Sequence, residues 1–151
     1  MNKRATREDN TRCMEIARRC GLKVKALMSV GHPGESEQTI LETQAWLLES
    51  KPDDFDVTII TTYPGTPYYD EAIPDPVHPG IWIYARTDTG DKLYSKEVDY
   101  RIVSDYYKGD PDKGYVSYVY TDQMTPEQIV ALRDSVERNV RKELNIPFNS
   151  S

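Results

Sequence analysis

Two segments of the chain run apolar and β-branched, and each then breaks into a Gly/Pro turn. The first, Val24-Lys25-Ala26-Leu27-Met28-Ser29-Val30, leads into Gly31-His32-Pro33-Gly34-Glu35; the second, Phe55-Asp56-Val57-Thr58-Ile59-Ile60-Thr61-Thr62, leads into Tyr63-Pro64-Gly65-Thr66-Pro67. They predict strands over about 22–30 and 55–61. The first alternates with lysines and then turns fully apolar, the pattern of a strand buried on both faces. Between them Ser36 caps a helix over about 37–49, with Ile40, Leu41, Leu47 and Leu48 on one face and Trp46 beside it. Upstream, Thr6 with Asp9 three residues on predicts a helix start, Cys13, Ile16, Ala17 and Cys20 its apolar stripe, and Gly21 its stop. Helix, strand, helix, strand at this spacing implies right-handed parallel βαβ packing. In such folds ligand chemistry gathers at the carboxyl ends of the strands, where both turns fall.

The pattern changes after Tyr69. Pro74, Pro76, Pro79 and Gly80 punctuate a loop. The segments 81–85 and 92–95 flank Thr87-Asp88-Thr89-Gly90-Asp91 and predict a hairpin. Tyr100, Tyr106 and Tyr107 precede a turn at Lys108-Gly109-Asp110-Pro111-Asp112, and 115–120 alternates as a strand. The last helix, at about 126–144, starts from Thr125 with Pro126 at its first position and Gln128 closing a capping box. Ile129, Leu132, Val136, Val140 and Leu144 give its stripe; Asp134–Arg138 and Glu137–Arg141 are supporting pairs one turn apart, and Asn145 before Pro147 ends it. The expected organisation is a βαβ core over 1–72 and a β-rich, Tyr-rich extension over 73–151 ending in that helix.

Composition narrows the function classes. The chain's 151 residues suffice for one domain with a core. A net charge of -6 argues against nucleic-acid binding, and the arginines of the first helix, Arg4, Arg7, Arg12, Arg18 and Arg19, are interleaved with Glu8, Asp9 and Glu15 as on a solvated face. No apolar run approaches the ~20 residues of a membrane span, and no export signal is visible, so the cytoplasm is the expected compartment. Cys13 and Cys20 lie about two turns apart on one predicted helix, roughly 10 Å, too far for a disulfide within it. They read as buried residues of the helix face.

Among residues with chemistry, Gly34, Glu35 and Ser36 at a helix start could bind phosphate, but Glu35 opposes an anion and no P-loop lysine follows. His32 is a lone loop histidine near the first turn, and His78 sits among prolines. Asp70 and Glu71 read as solvated loop charges, and Tyr115, Tyr118 and Tyr120 as sheet packing. Neither a Ser/His/Asp triad, a zinc site nor a paired-carboxylate site is legible.

The ordered set formed by Val30-Gly31-His32-Pro33-Gly34-Glu35, the Pro52-Asp53 connection and Tyr63-Pro64-Gly65-Thr66-Pro67-Tyr68-Tyr69 resembles the second half of a radical S-adenosylmethionine (SAM) domain of the cobalamin-associated branch. Asn2-Lys3-Arg4, Thr6, Asp9 and Asn10, Cys20-Gly21-Leu22, Asp105-Tyr106-Tyr107-Lys108-Gly109, Thr121-Asp122 and Leu144-Asn145-Ile146-Pro147-Phe148 extend the likeness to nearly the whole chain. The resemblance implies an α/β fold, a fragment of a partial, TIM-like (β/α) barrel whose fifth and sixth strands are the two read above, with a C-terminal hairpin and helix extension. It implies that SAM lies across the strand carboxyl ends. Its adenine would meet Ser29, Val30 and Gly31 from one strand and Thr61, Thr62 and Tyr63 from the other. Position 29 is more often a larger apolar residue in that family.

The family holds a [4Fe–4S] cluster with three cysteines at Cys-x₃-Cys-x₂-Cys spacing; this chain has two cysteines at another spacing. Met1 also falls where the family has interior sequence. The expectation is therefore a fragment of a larger enzyme, inactive alone, with no catalytic or metal-binding residue of its own. The cluster, and any cobalamin, would belong to the full-length parent. Its expected partners are the missing N-terminal half of the barrel and an unidentified small-molecule substrate, with self-association through the exposed sheet edge. A reading from another class is a non-catalytic α/β interaction module.

Overall fold

The computed structural model describes residues 5–99 and 111–148, so Asn2-Lys3-Arg4, Tyr100 and the Asp105–Gly109 segment lie outside the described residues. The chain is mixed α/β. It runs α1 (Arg7–Arg19), β1 (Lys25–Val30), α2 (Glu37–Ser50), β2 (Asp54–Ile59), a short α3 (Pro67–Asp70), β3 (Ile73–Pro74), β4 (Ile81–Ala85), β5 (Lys92–Lys96), a 3₁₀ turn at Pro111–Lys113, β6 (Val119–Tyr120) and α4 (Pro126–Leu144). β1 and β2 form a two-stranded parallel sheet; β3-β4-β5-β6 form an antiparallel sheet in that order. No closed barrel is present among the described residues.

The helix boundaries follow local chemistry. Thr6, Ser36 and Thr125 each accept from the backbone N–H three residues on, and Asp9, Thr39 and Gln128 reach back to close a capping box. α1 ends as Gly21 takes a φ of +71°, with Leu22 N–H donating to Ala17 O at 2.9 Å. Asn145, at φ +55°, ends α4 in the same left-handed conformation.

The core lies on one side of the parallel pair. Ala26 and Val30 of β1 and Phe55, Val57 and Ile59 of β2 face Ile40, Trp46 and Leu47 of α2 and Ile129, Val136 and Val140 of α4. The opposite face is not buried. Leu27 is 75% exposed, Ser29 is exposed, and Lys25 spans Asp54 and Asp56 at 3.2 and 2.8 Å. The expectation that the first strand is buried on both faces is thus corrected. Among the described residues nothing covers its second face, so the apolar run marks a surface a further layer could cover.

The cysteines are corrected too. Cys13 and Cys20 are exposed, as is Ile16, and the residue α1 buries is Met14. α1 leans on α2 through polar contacts at its other flank: Trp46 Nε1 donates to Thr11 Oγ1 at 3.1 Å, and Arg18 Nη2 donates to the carbonyls of Ser50 and Lys51 at the end of α2. Periodicity identified an apolar stripe but not that its covering surface is absent among the described residues. The expected strand at 115–120 is only Val119–Tyr120, paired with β5.

The two edges of the parallel sheet differ. In a parallel ladder the N–H and C=O of one residue point to the same side, alternating along the strand. Phe55, Val57 and Ile59 thus turn their peptide groups away from β1, and side chains take them up. Arg141 Nη2 donates to Phe55 O at 2.6 Å, Val57 N–H donates to Glu137 Oε1 at 2.8 Å, Arg133 Nε donates to Val57 O at 2.7 Å, and Ile59 N–H donates to the Tyr115 hydroxyl at 3.1 Å. Positions 133, 137 and 141 recur every four residues, so one face of α4 does what a neighbouring strand would do. On β1 the carbonyls of Val24 and Val30 accept from Asp53, Asp54 and Ile60, which leaves the peptide groups of Lys25, Leu27 and Ser29 facing the other way. Among the described residues no further strand pairs along that edge, and the Ser29 backbone bonds to the His32 imidazole.

Candidate functional site at the strand carboxyl ends

Because β1 and β2 run parallel and in register, with Ser29 beside Thr58 and Val30 beside Ile59, the two turns emerge side by side on one rim. Glu35 organises the first turn. Its Oε1 accepts from Gly31 N–H at 2.8 Å, its Oε2 accepts from Thr39 Oγ1, its N–H donates to His32 O at 2.9 Å, and its carbonyl accepts from Thr121 Oγ1 at 2.8 Å. A carboxylate at the start of α2 that gathers N–H and O–H donors fixes the loop and occupies the place an anion would need. Gly31 sits at φ +89°, and a Cβ there would lie 3.0 Å from Val119 Cγ2 and 3.3 Å from Ile59 Cγ2. Glycine is therefore required by the backbone conformation and by the close approach of β6.

In the second turn Thr66 Oγ1 donates to Tyr63 O at 2.7 Å, Thr66 N–H donates to the same carbonyl at 3.1 Å, and Gly65 N–H donates to Asp70 Oδ1 at 3.0 Å. This presents α3, and Tyr68 turns back toward the first turn. Its hydroxyl lies 3.4 Å from His32 Nδ1, and its ring packs at 4.9 Å from Tyr84. His32 Nε2 in turn lies 2.8 Å from Ser29 Oγ. Burial holds the imidazole below its ordinary pKa, Glu35 works against that, and Arg86 adds to it. Burial also pushes the Tyr68 phenol up.

The six residues named from the resemblance thus share one rim but not one orientation. Ser29 is exposed, and Thr61 and Tyr63 are half-buried. Val30, at 1% exposure, Gly31 and Thr62 turn inward, so a contact from Val30 to anything on the rim runs through its backbone rather than its side chain. Thr62 also lines a pocket of about 160 Å³ against the antiparallel sheet, with Tyr69, Ala72, Trp82, Ser95 and Lys96. Sequence reading did not find the contact of Ser29, His32 and Tyr68, because Tyr68 lies far along the chain and arrives only through the second turn.

The residues do not fit an iron–sulfur cluster. The chain's two cysteines are seven positions apart, in α1 and at its end, both exposed, and among the described residues no three of His, Cys, Asp or Glu stand where they could hold a metal ion. No helix among the described residues is long and apolar enough to cross a membrane. Compared with protein-family models, curated proteins and solved structures, the chain has no match.

Proposed function

We propose that this chain is the C-terminal part of a radical SAM partial barrel, that its rim at residues 29–31 and 61–63 forms the adenine-side wall of a SAM pocket, and that it does not cleave SAM alone. The observation that carries the reading is the contrast between the two sheet edges. β2 is closed off by Arg133, Glu137, Arg141 and Tyr115, as suits the last strand of an open barrel, while no strand among the described residues pairs along the outer edge of β1. Leu27 of β1 itself, with Leu22 and Ile16 just before it in the chain, is an exposed apolar residue. A right-handed crossover through α1 would deliver a preceding parallel strand to the same edge. The partner is then the N-terminal part of the same barrel, and without it the edge invites self-association.

The test is a titration of the ¹⁵N-labelled chain with SAM, followed by amide shifts. Half a pocket is expected to bind in the millimolar range, about −4 kcal/mol, with shifts confined to residues 29–31 and 61–63. Shifts elsewhere, or none at about 10 mM SAM, a concentration at which such a site would be well occupied, would overturn the adenine wall. In a parallel experiment anaerobic iron–sulfur reconstitution is expected to give no stoichiometric [4Fe–4S] absorbance, and a stoichiometric cluster that cleaves SAM would contradict the reading. The interaction-module reading gains if the coding region upstream of Met1 holds an in-frame stop rather than a three-cysteine segment.

A further inference from the structure

The carboxyl end of β1 brings together side chains whose contact with one another neither the core nor the adenine wall requires. Ser29 is exposed at the next-to-last residue of β1, with His32 Nε2 2.8 Å from its Oγ. Tyr68 meets the imidazole edge-on at 6.1 Å, its hydroxyl 3.4 Å from Nδ1, and the Ser29 backbone also bonds to the ring; Glu35 N–H, donating to the His32 backbone carbonyl at 2.9 Å, fixes the main chain that carries it. Tyr68 is itself packed against Tyr84. An imidazole set between a serine hydroxyl and a second orienting group is the arrangement that activates a nucleophile, the base taking the proton and the third group fixing ring and tautomer. With its pKa lowered by burial the ring is neutral near pH 7 and can accept that proton. The peptide N–H of Ser29 points to the edge of β1 along which no strand pairs among the described residues, and a nucleophile's own amide is one of the donors that can hold a developing oxyanion.

We propose that Ser29 and His32, with Tyr68 as a positioning residue, form a base-activated nucleophile that takes small acyl esters and activated phosphoryl electrophiles at the carboxyl end of β1. With an acyl ester, Ser29 Oγ forms a bond to the carbonyl carbon and its proton passes to His32 Nε2. The bond to the leaving alkoxide breaks, and the alkoxide takes that proton to depart as an alcohol. Water then attacks the acyl-serine, giving its proton to His32, which returns it to Ser29 as the carboxylic acid leaves. The proposal goes beyond the adenine-wall reading and does not rest on it.

The probe is diisopropyl fluorophosphate. Ser29 Oγ bonds to phosphorus, the P–F bond breaks, fluoride leaves, and the serine proton passes through His32 to solvent. Intact mass and peptide mapping of the whole chain are expected to show one adduct, at Ser29, absent from Ser29→Ala. Loss of the base should slow labelling at least tenfold in His32→Gln, a lower bound set by the ~10²–10⁴-fold typical of general-base assistance. In the unmodified sequence the labelling rate should rise with pH through a midpoint below 6.5, the ordinary histidine value, with Glu35, Arg86 and Tyr68 facing the ring. Tyr68→Phe should move that midpoint lower, because the imidazolium loses an acceptor for Nδ1–H. No adduct at Ser29, an adduct confined to another serine, or a pH-independent rate in the unmodified sequence overturns the proposal. So does wild-type labelling of a His32→Gln variant with unchanged far-UV circular dichroism. None of these results bears on the SAM titration.

Discussion

Glu137→Ala should be among the most damaging single substitutions in this chain. Glu137 is fully buried between Arg133, which is also fully buried, and Arg141, which is 4% exposed. Its Oε2 accepts from Arg141 Nε at 2.7 Å and its Oε1 lies 3.4 Å from Arg133 Nη2, while the same Oε1 takes the N–H of Val57. Burial pushes its carboxyl above the ordinary range, against the pull of Val57 N–H and the two guanidiniums. Removing it orphans one backbone donor in the interior and takes the shared, fully buried carboxylate from two guanidiniums, leaving Arg133 with Asp134 and Arg141 with Asp54 and Asp56. Breaking a buried pair by deleting one partner costs about 3–5 kcal/mol, against the ~5–15 kcal/mol by which domains of this size are usually stable. At ~2–4 °C per kcal/mol for chains of this length, the melting temperature should fall by about 6–20 °C.

Glu137→Gln keeps an acceptor for Val57 and loses only the charge, so it should cost about 1.5–3 kcal/mol, the value of hydrogen bonds to charged groups. Urea denaturation followed by far-UV circular dichroism measures both. A Glu137→Ala loss under ~1 kcal/mol, the range of exposed ion pairs, would refute the account of the β2 edge. So would Gln faring worse than Ala.

Two further outcomes follow from the first turn. Gly31→Ala should cost about 1–3 kcal/mol for the positive φ alone and more for the 3.0 Å approach to Val119, whereas Gly65→Ala, at φ +87° with nothing within 4 Å of its Cβ, should show only the backbone part; equal losses in chemical denaturation would remove Val119 from the argument. His32 has a folded pKa below its unfolded 6.5, so its contribution to stability is present above pH 6.5 and is lost as pH falls through the folded value. The urea midpoint should therefore drop between pH 7.5 and 5 by more in the natural sequence than in His32→Gln, and parallel profiles would assign the slope to other groups.

The residues differ in how legible they were. Capping chemistry is local, so Thr6, Ser36 and Thr125 marked three helix starts from sequence alone, and the hairpin of β4 and β5 was visible in its turn residues. What could not be read depends on distant neighbours. Glu137 and Arg141 read as a supporting pair one turn apart, and they do pair; that they are buried depends on β2, which both also serve from far along the sequence. The expected Asp134–Arg138 pair is replaced by Arg133–Asp134 and Arg138–Asp112 contacts. Cys13, Ile16 and Leu27 carry the pattern of buried residues, yet nothing among the described residues covers them, and periodicity records what a face suits rather than whether a partner is there. The rim of residues 29–31 and 61–63 followed from parallel topology, but the inward turn of Val30 and the meeting of His32 with Tyr68 needed three dimensions.

The side chains that finish β2 also set an order of events during synthesis. The bonds from α4 to β2 join residues 76, 80 and 86 positions apart. A ribosome adding ~5–20 residues per second therefore exposes β1, α2 and β2 for several seconds before residues 133–141 are made. During that interval the outward peptide groups of Phe55 and Val57 are an unguarded template for any extended chain nearby. A polypeptide stalled or clipped between β2 and α4 would have both sheet edges open and be more prone to aggregate than a completed one, and the last helix acts as the built-in guard of the β2 edge.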